Sequence, residues 1–465
     1  MLKIDRTVQA SDLVTAVESL YALASGKLAS LISAWPAEKG GPVYTVQGKY
    51  MQRGWTEWTQ GFLYGSALML FDVTGDREFF ELGREHIHRH MAKHVSHTGV
   101  HDHGFTIIST YGTILRLMNE GAVSGDAGER GMCELALKVS GAVQASRWTA
   151  LGANDGFIYS FNGPHSLFAD TMRSLRSLAV AHQLGHVLKG EQEEEVNLLH
   201  RLIAHAETTA RYAVYFGNGR DYYDTRGRVA HESLFNVKTG TYRCPGTQQG
   251  YSPFSTWMRG LAWILCGYAE QLEFLQTLLG SEFEPVYEKG RVLQRFEETA
   301  RAVADHYITG TPHDGIPYWD TGAPGLADLG DYLDRPSQPF NAFEPVDSSA
   351  AVIAAQGLIR LGRYLQQKGN EEWEQYYQAG LTVARHAFDD PYLSRNPGHQ
   401  GLVLHSVYHR PAGWDYIPEG HLIPCGESSM WGDYHALELG LMILRIARRQ
   451  PYYTFFIDRE AREHE

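Results

Sequence analysis

The chain has 465 residues, 43% hydrophobic and 20% charged, enough apolar material for a sizeable core and too much for bulk disorder. Its 41 Lys and Arg against 54 Asp and Glu give a formal charge of −13, which argues against nucleic acid as a partner because phosphate binding needs a basic face. No apolar run reaches the ~18 residues of a membrane span. The N-terminus lacks the uninterrupted apolar core of a signal peptide, and four scattered cysteines without a CxxC suggest neither a zinc site nor a disulfide scaffold. The expected protein is soluble and cytoplasmic.

Helical periodicity recurs and strand-like alternation is scarce. It predicts helices near 11–33, 57–74, 78–95, 104–120, 126–146, 167–185, 190–214, 254–278, 287–308, 347–368, 371–388 and 427–447. Short connections alternate with long loops rich in Gly, Pro, Asn and Asp, near 34–56, 147–166, 215–253, 309–346 and 389–426. That is the pattern of helix hairpins packed side by side with their long loops gathered at one end, where functional groups concentrate. Six such hairpins closed in a ring make an all-α (α/α)6 barrel of about twelve helices, the expected fold. No composition shift or flexible linker divides the chain, so residues 1–465 are expected to form one domain. The charged end, DREAREHE, is expected to be peripheral from about 451.

In chain order, the first candidate is Trp58, in the run WTEWTQGF that begins at Trp55 and opens the second helix. It is either a ligand-facing ring or a core aromatic. His101-Asp102-His103-Gly104-Phe105 follows where the fourth helix should begin, so Asp102 reads either as an N-cap or as a site carboxylate. A metal reading is weak, because adjacent residues rarely chelate one ion and no partner cluster is evident. Asp170 falls in the first turn of the sixth helix among Leu167, Phe168, Met172 and Leu175. Such neighbours would raise its pKa and keep a proton on it near neutral pH; the alternative is a solvated carboxylate favoured by the helix dipole. Together Asp170 and Asp102 offer one protonated and one ionised carboxylate.

His231 occupies a loop with hairpin-like turn residues. The densest window runs from Gly246 to Tyr268, where Gln248 and Gln249 precede a helix for which Ser252-Pro253 reads as N-cap and first residue. Arg259 and Trp263 lie four apart, hence on one face. A cation, a flat ring and amide donors at one helix end are the equipment for holding an anionic sugar. Asp347 is expected to cap the tenth helix, and Ser428 or Ser429 the last.

There is no GxSxG elbow, P-loop, HExxH or dinucleotide fingerprint, which removes the usual support for acyl, phosphoryl and hydride transfer. Acid–base work on a sugar, without metal or organic cofactor, remains. The ordered motifs WTQGF (58–62), HDHGF (101–105), ADTMRSL (169–175), HESLFNVKTG (231–240), TQQGYSPFSTWMRGLAW (247–263), YWDTGAP (318–324), DSSAA (347–351) and WGDY (431–434) resemble those of the unsaturated glucuronyl hydrolases, glycoside hydrolase family eighty-eight. The resemblance implies an (α/α)6 barrel that removes a 4,5-unsaturated uronic acid from the non-reducing end of lyase-generated oligosaccharides. An aspartate protonates C4 of the vinyl ether and helps water add at C5. The resemblance further implies Asp170 as the general acid/base and Asp102 as the second essential aspartate. Trp58, His101, His231, Gln249, Arg259 and Trp263 then line the sugar site.

The chain departs from the family at Arg173 and Ser174, where DTMMN or DNMMN is common. Arg173 is therefore expected to place a cation beside the acid and favour a sulfated or doubly anionic sugar. Residues 147–166 match the family's tryptophan-rich loop poorly. Other uronide-active enzymes on this barrel (saturated glucuronidases, rhamnogalacturonyl hydrolases, sugar epimerases) and a non-catalytic carbohydrate-binding protein stay open as alternatives. The expected partner is an anionic oligosaccharide, with no nucleic acid or membrane, and the chain is expected to act as a monomer or homodimer.

Overall fold

A computed structural model describes residues 1–54 and 57–457. Trp55, Thr56 and the DREAREHE end lie outside the described residues. Its principal helices are α1 (Val14–Ala34), α2 (Phe62–Thr74), α3 (Arg77–His90), α4 (103–119, with a π turn at Ile108–Gly112), α5 (Ala127–Ser146), α6 (171–183), α7 (Leu198–Tyr212), α8 (Met258–Gln276), α9 (Lys289–Gly310), α10 (Ser348–Gln367), α11 (Trp373–Ala387) and α12 (Met430–Ala447). Each answers to one of the periodic stretches in the sequence. The even-numbered helices form an inner ring in which each packs against the next and α12 closes back on α2. The odd-numbered helices pack outside them, completing an (α/α)6 barrel.

The two rings differ in pattern for a physical reason. An outer helix has one covered face, and α3 accordingly buries only Phe80, Gly83 and Ile87, spaced three and four apart. An inner helix is covered all round, and α10 buries every residue from Ser348 to Gly362. Burial of each large apolar side chain contributes about 1.5–3 kcal/mol. The inner ring is also tight. A Cβ on Gly104 would come within 2.1 Å of the Ser174 carbonyl oxygen, and one on Gly267 within 2.8 Å of the Arg173 amide nitrogen. Two glycines on neighbouring helices thus clamp the first turn of α6, the turn that follows Asp170.

Every long connection runs from an outer helix to the N-terminal end of an inner one, so those loops gather at a single end of the barrel. Asp347 caps α10 by accepting from the Ser349 amide, and Ser429 caps α12 by accepting from Gly432. Among the described residues no helix is long and apolar enough to cross a membrane.

Four local expectations are corrected. The periodicity at 190–214 overruns its start: Val187–Lys189 pairs with Glu195–Asn197 as a small hairpin, and Asn197 caps α7. α2 begins at Phe62 rather than at 57, after a short turn at Glu57–Thr59. α8 begins at Met258 after Trp257, because Trp257 bridges to Asp320 and the Met258 amide bonds the Trp319 carbonyl at 3.0 Å. Ser252 instead closes a turn, accepting from the Phe254 amide at 3.1 Å. Finally, residues 451–457 are not peripheral. Tyr453, Phe455 and Phe456 are buried, and Tyr452 donates to Glu273 of α8 at 2.7 Å.

Candidate active site

Trp58, Asp102, Asp170, Gln249, Arg259 and Trp263 line one cavity at the N-terminal ends of the inner helices. His101 and His231 flank Asp170 from either side. These residues come from five separate connections or helix starts, and the barrel alone brings them together.

A three-stranded sheet sets the first contact. Ser166–Phe168 pairs with Glu232–Asn236, which pairs in turn with Thr241–Gly246. The Ala169 amide donates to the His231 carbonyl at 2.9 Å, so His231 is held beside Asp170. The hairpin-like turn in the sequence is thus a real hairpin. His231 Nδ1 accepts from the Gln248 amide at 3.1 Å, which leaves Nε2 as the protonated nitrogen of the neutral ring. Nε2 lies 3.7 Å from Asp170 Oδ1.

On the other side, His101 Nε2 is 3.3 Å from Asp170 Oδ2 and 3.7 Å from Asp102 Oδ1. The His101 carbonyl is pinned by Gln144 Nε2 and Ser174 Oγ, each at 2.8 Å. Ser174 Oγ also accepts from the Gly104 amide at 2.9 Å. Asp102 precedes the first turn of α4, yet its side chain makes no capping bond there. It lines the cavity instead.

The electrostatics overturn one expectation. Burial pushes the Asp170 carboxyl up, as its apolar neighbours suggested, but the His101 hydrogen bond and the charges of His101 and His231 more than offset it. The pKa ends below its ordinary 3.8. Burial pulls the His101 imidazole down, but the charge of Asp102 and the bond to Asp170 carry it above its ordinary 6.5. His231 is lowered by burial. Both shifts favour a proton on His101, 3.3 Å from Asp170, over an isolated carboxylic acid.

Arg259 is buried between the Trp257 and Trp431 rings, at 4.6 and 4.9 Å. It pairs with Asp347 Oδ2 at 2.9 Å and donates to the carbonyls of Val407 and Tyr408 and, at 3.4 Å, to Gln249 Oε1. The cation of the Gly246–Tyr268 window is thus already matched by a carboxylate, and its guanidinium ties α8 to the start of α10 and to the loop before α12. Trp58 packs edge-on to Phe105 and lies 5.0 Å from Trp431, while Trp263 packs on Phe105 at 4.9 Å.

Arg173 corrects a second expectation. It is fully buried and points away from the cavity into the barrel, pairing with Glu270 and with Glu438 at 3.0 Å. Arg176 and Arg360 extend the same buried cluster.

Six further residues line the cavity: Phe105, Phe161, Trp257, Tyr408, His409 and Trp414. Phe161 comes from the stretch 147–166 and stacks on His101 at 5.9 Å. Tyr408, His409 and Trp414 belong to YHRPAGWDY, whose aromatic density in a long loop was a usable signal. Asp415 folds that loop by accepting from the Tyr408 and His409 amides. The ligand atoms of His101, Asp102 and Asp170 all lie within 4.8 Å of one another, a closer cluster than adjacency in the sequence suggested.

No protein-family model matches the chain. A curated unsaturated glucuronyl hydrolase from Bacillus sp. (strain GL1) is 26% identical over 417 residues, covering 88% of this chain and 90% of that protein. An unsaturated chondroitin disaccharide hydrolase from Streptococcus agalactiae serotype III (strain NEM316) is 21% identical over 82% of this chain and 80% of its own. Among solved structures, the unsaturated glucuronyl hydrolase of Bacillus sp. GL1 superposes with a TM-score of 0.68 at 22% identity, covering 96% of this chain and 98% of that one. An unsaturated glucuronyl hydrolase specific for heparin gives 0.70 at 18% identity, over 96% and 99%. Along most of its length, therefore, the chain is a homologue of the unsaturated glucuronyl hydrolases of glycoside hydrolase family eighty-eight.

Proposed function

We propose that the protein is a glycoside hydrolase that removes a 4,5-unsaturated uronic acid from the non-reducing end of lyase-generated oligosaccharides by hydrating the C4=C5 vinyl ether. The observation that carries this is the pairing of Asp170 with His101, 3.3 Å apart in an aromatic-lined cavity, in a chain with curated relatives of that activity. Asp170 delivers the proton of the pair to C4, and His101 resupplies it across their hydrogen bond. Water adds to C5 and gives up its proton to the pair, so the protons balance over the cycle. The C5 hemiketal opens to a ketone, C1 becomes a hemiacetal, and the aglycone leaves with its hydroxyl.

Asp102 is in place to hold sugar hydroxyls and to favour the imidazolium of His101. Trp58 and Trp263 offer flat apolar surface, and Gln249, oriented by Arg259, offers an amide. Inner-helix N-termini point their positive dipole ends at this end of the barrel, which favours an anionic ligand. The reaction uses no metal or organic cofactor. The enzyme acts in the cytoplasm, alone or as a homodimer.

The test is incubation with lyase-generated unsaturated disaccharides while following loss of ultraviolet absorbance from the conjugated double bond. Asp170→Asn is expected to slow that loss by about 10²–10⁴-fold, the usual contribution of a general acid. No loss on any of several disaccharides with the wild type overturns the proposal.

A further inference from the structure

The proton-transfer cluster has the metric of a second kind of site. When a tetrahedral zinc(II) ion holds nitrogen and oxygen ligands at about 2.0–2.1 Å, its ligand atoms sit roughly 3.3–3.4 Å apart. In the cavity, His101 Nε2 lies 3.3 Å from Asp170 Oδ2 and 3.7 Å from Asp102 Oδ1, and the three ligand atoms fall within 4.8 Å of one another. Two edges of the tetrahedral face are therefore nearly in place, and the third closes with a small rotation of a carboxylate. One imidazole and two carboxylates are a mixed set of one borderline and two hard donors that zinc accepts, and the imidazole nitrogen disfavours magnesium and calcium, which take oxygen ligands. All three residues are buried, so water screens the two negative charges weakly. A fourth contact is available in Asp170 Oδ1, which has no hydrogen-bond partner among the described residues.

We infer that His101, Asp102 and Asp170 bind one zinc(II) ion, and that zinc is a competitive inhibitor because it occupies the atoms that move the proton. The inference rests on the proposed function for the word inhibitor, but not for the binding. Zinc takes the Nε2 lone pair and the proton there leaves to solvent, so the pair can neither protonate C4 nor accept from water. The ion is an inhibitor rather than a resident. His101 Nδ1 has no acceptor among the described residues, whereas ligating histidines normally donate their second N–H to one, and losing that partner weakens affinity about 10–100-fold.

The test is calorimetric titration with zinc chloride. His86 and His90, one turn apart on α3 with ring centroids 5.5 Å apart, form a competing surface pair, so the titration is done in a His90→Gln background. One equivalent is expected to bind, with magnesium chloride giving no heat. Asp102→Asn and Asp170→Asn in that background are each expected to lose at least tenfold in affinity with unchanged circular dichroism. Equal zinc binding by the background protein and a folded Asp102→Asn or Asp170→Asn protein, or no binding at all, overturns the site. If both variants fail to fold, the wild-type inhibition pattern decides: a half-inhibiting zinc concentration that does not rise with substrate concentration, or no inhibition, overturns it. A protein that binds zinc at this cluster yet consumes no unsaturated disaccharide sinks the proposed activity and leaves the site standing.

Discussion

Replacing Arg173 with Met separates the structural account of that residue from the one its position suggested. The guanidinium bonds Glu270 and lies 3.0 Å from Glu438 Oε2, with all three side chains at or below 1% exposure. Removing one partner of a buried pair costs about 3–5 kcal/mol, because the other charge is left without compensation. The lower figure applies here. Glu438 keeps Arg176 at 3.3 Å and the Tyr453 hydroxyl at 3.0 Å, and Glu270 keeps Arg176 and Arg360 at 3.8 and 3.9 Å. Unfolding entropy is about 2.1 cal/mol/K per residue, or ~1 kcal/mol/K for a chain of this size, so a loss of ~3 kcal/mol lowers Tm by roughly 3 °C. Differential scanning calorimetry reads the shift, and adding Glu438→Gln, which rebalances the cluster, is expected to recover part of it. The ratio of rates on sulfated and unsulfated disaccharides should not move. An unchanged Tm with a selective loss on sulfated substrate would refute the reasoning and return Arg173 to the sugar site.

Four further outcomes follow from the same geometry. The pair Asp170–His101 holds one proton between a carboxyl lowered below 3.8 and an imidazole raised above 6.5, so the rate should fall on the alkaline side only above that imidazole range. Replacing His101 with Gln leaves burial to push the Asp170 carboxyl up and leaves its own proton to serve C4; in whatever activity survives, the alkaline limb should drop from the imidazole range toward the carboxyl range, and an unmoved limb would contradict the assigned pairing. Trp58→Ala, at a partly exposed ring, should raise KM roughly tenfold, ~1.4 kcal/mol, with a smaller change in kcat; a change confined to kcat would remove Trp58 from sugar binding. Treatment with a strong chelator should leave the rate unchanged or raise it, whereas a loss restored by one metal would show that the reaction needs an ion.

The helices were legible because burial is periodic: an outer helix such as α3 carries one apolar stripe, an inner one such as α10 a nearly continuous run. Caps at Asp347 and Ser429 were legible because capping is local. Ser252-Pro253 misled for the complementary reason, since the strand-like bridge between Trp257 and Asp320 delays the helix start and no local pattern announces it. The convergence of Asp102, Asp170, Gln249 and Arg259 was reachable through ordered motifs. The protonation of Asp170 was not, because His101 lies 69 positions upstream and outweighs the apolar neighbours visible in sequence. Arg173 failed in the same way, its partners lying 97 and 265 positions downstream.

The clamp formed by Gly104 and Gly267 fixes the turn that follows Asp170 through the spacing of three helix backbones, while the strand before it is held by the loop sheet. The walls around it are another matter, since Phe161 and the Tyr408–Trp414 arc arise from two of the long connections. Insertions and substitutions there can reshape the cavity while Asp170 stays where it is. The rim of this barrel is thus free to change while the helix ring keeps its register.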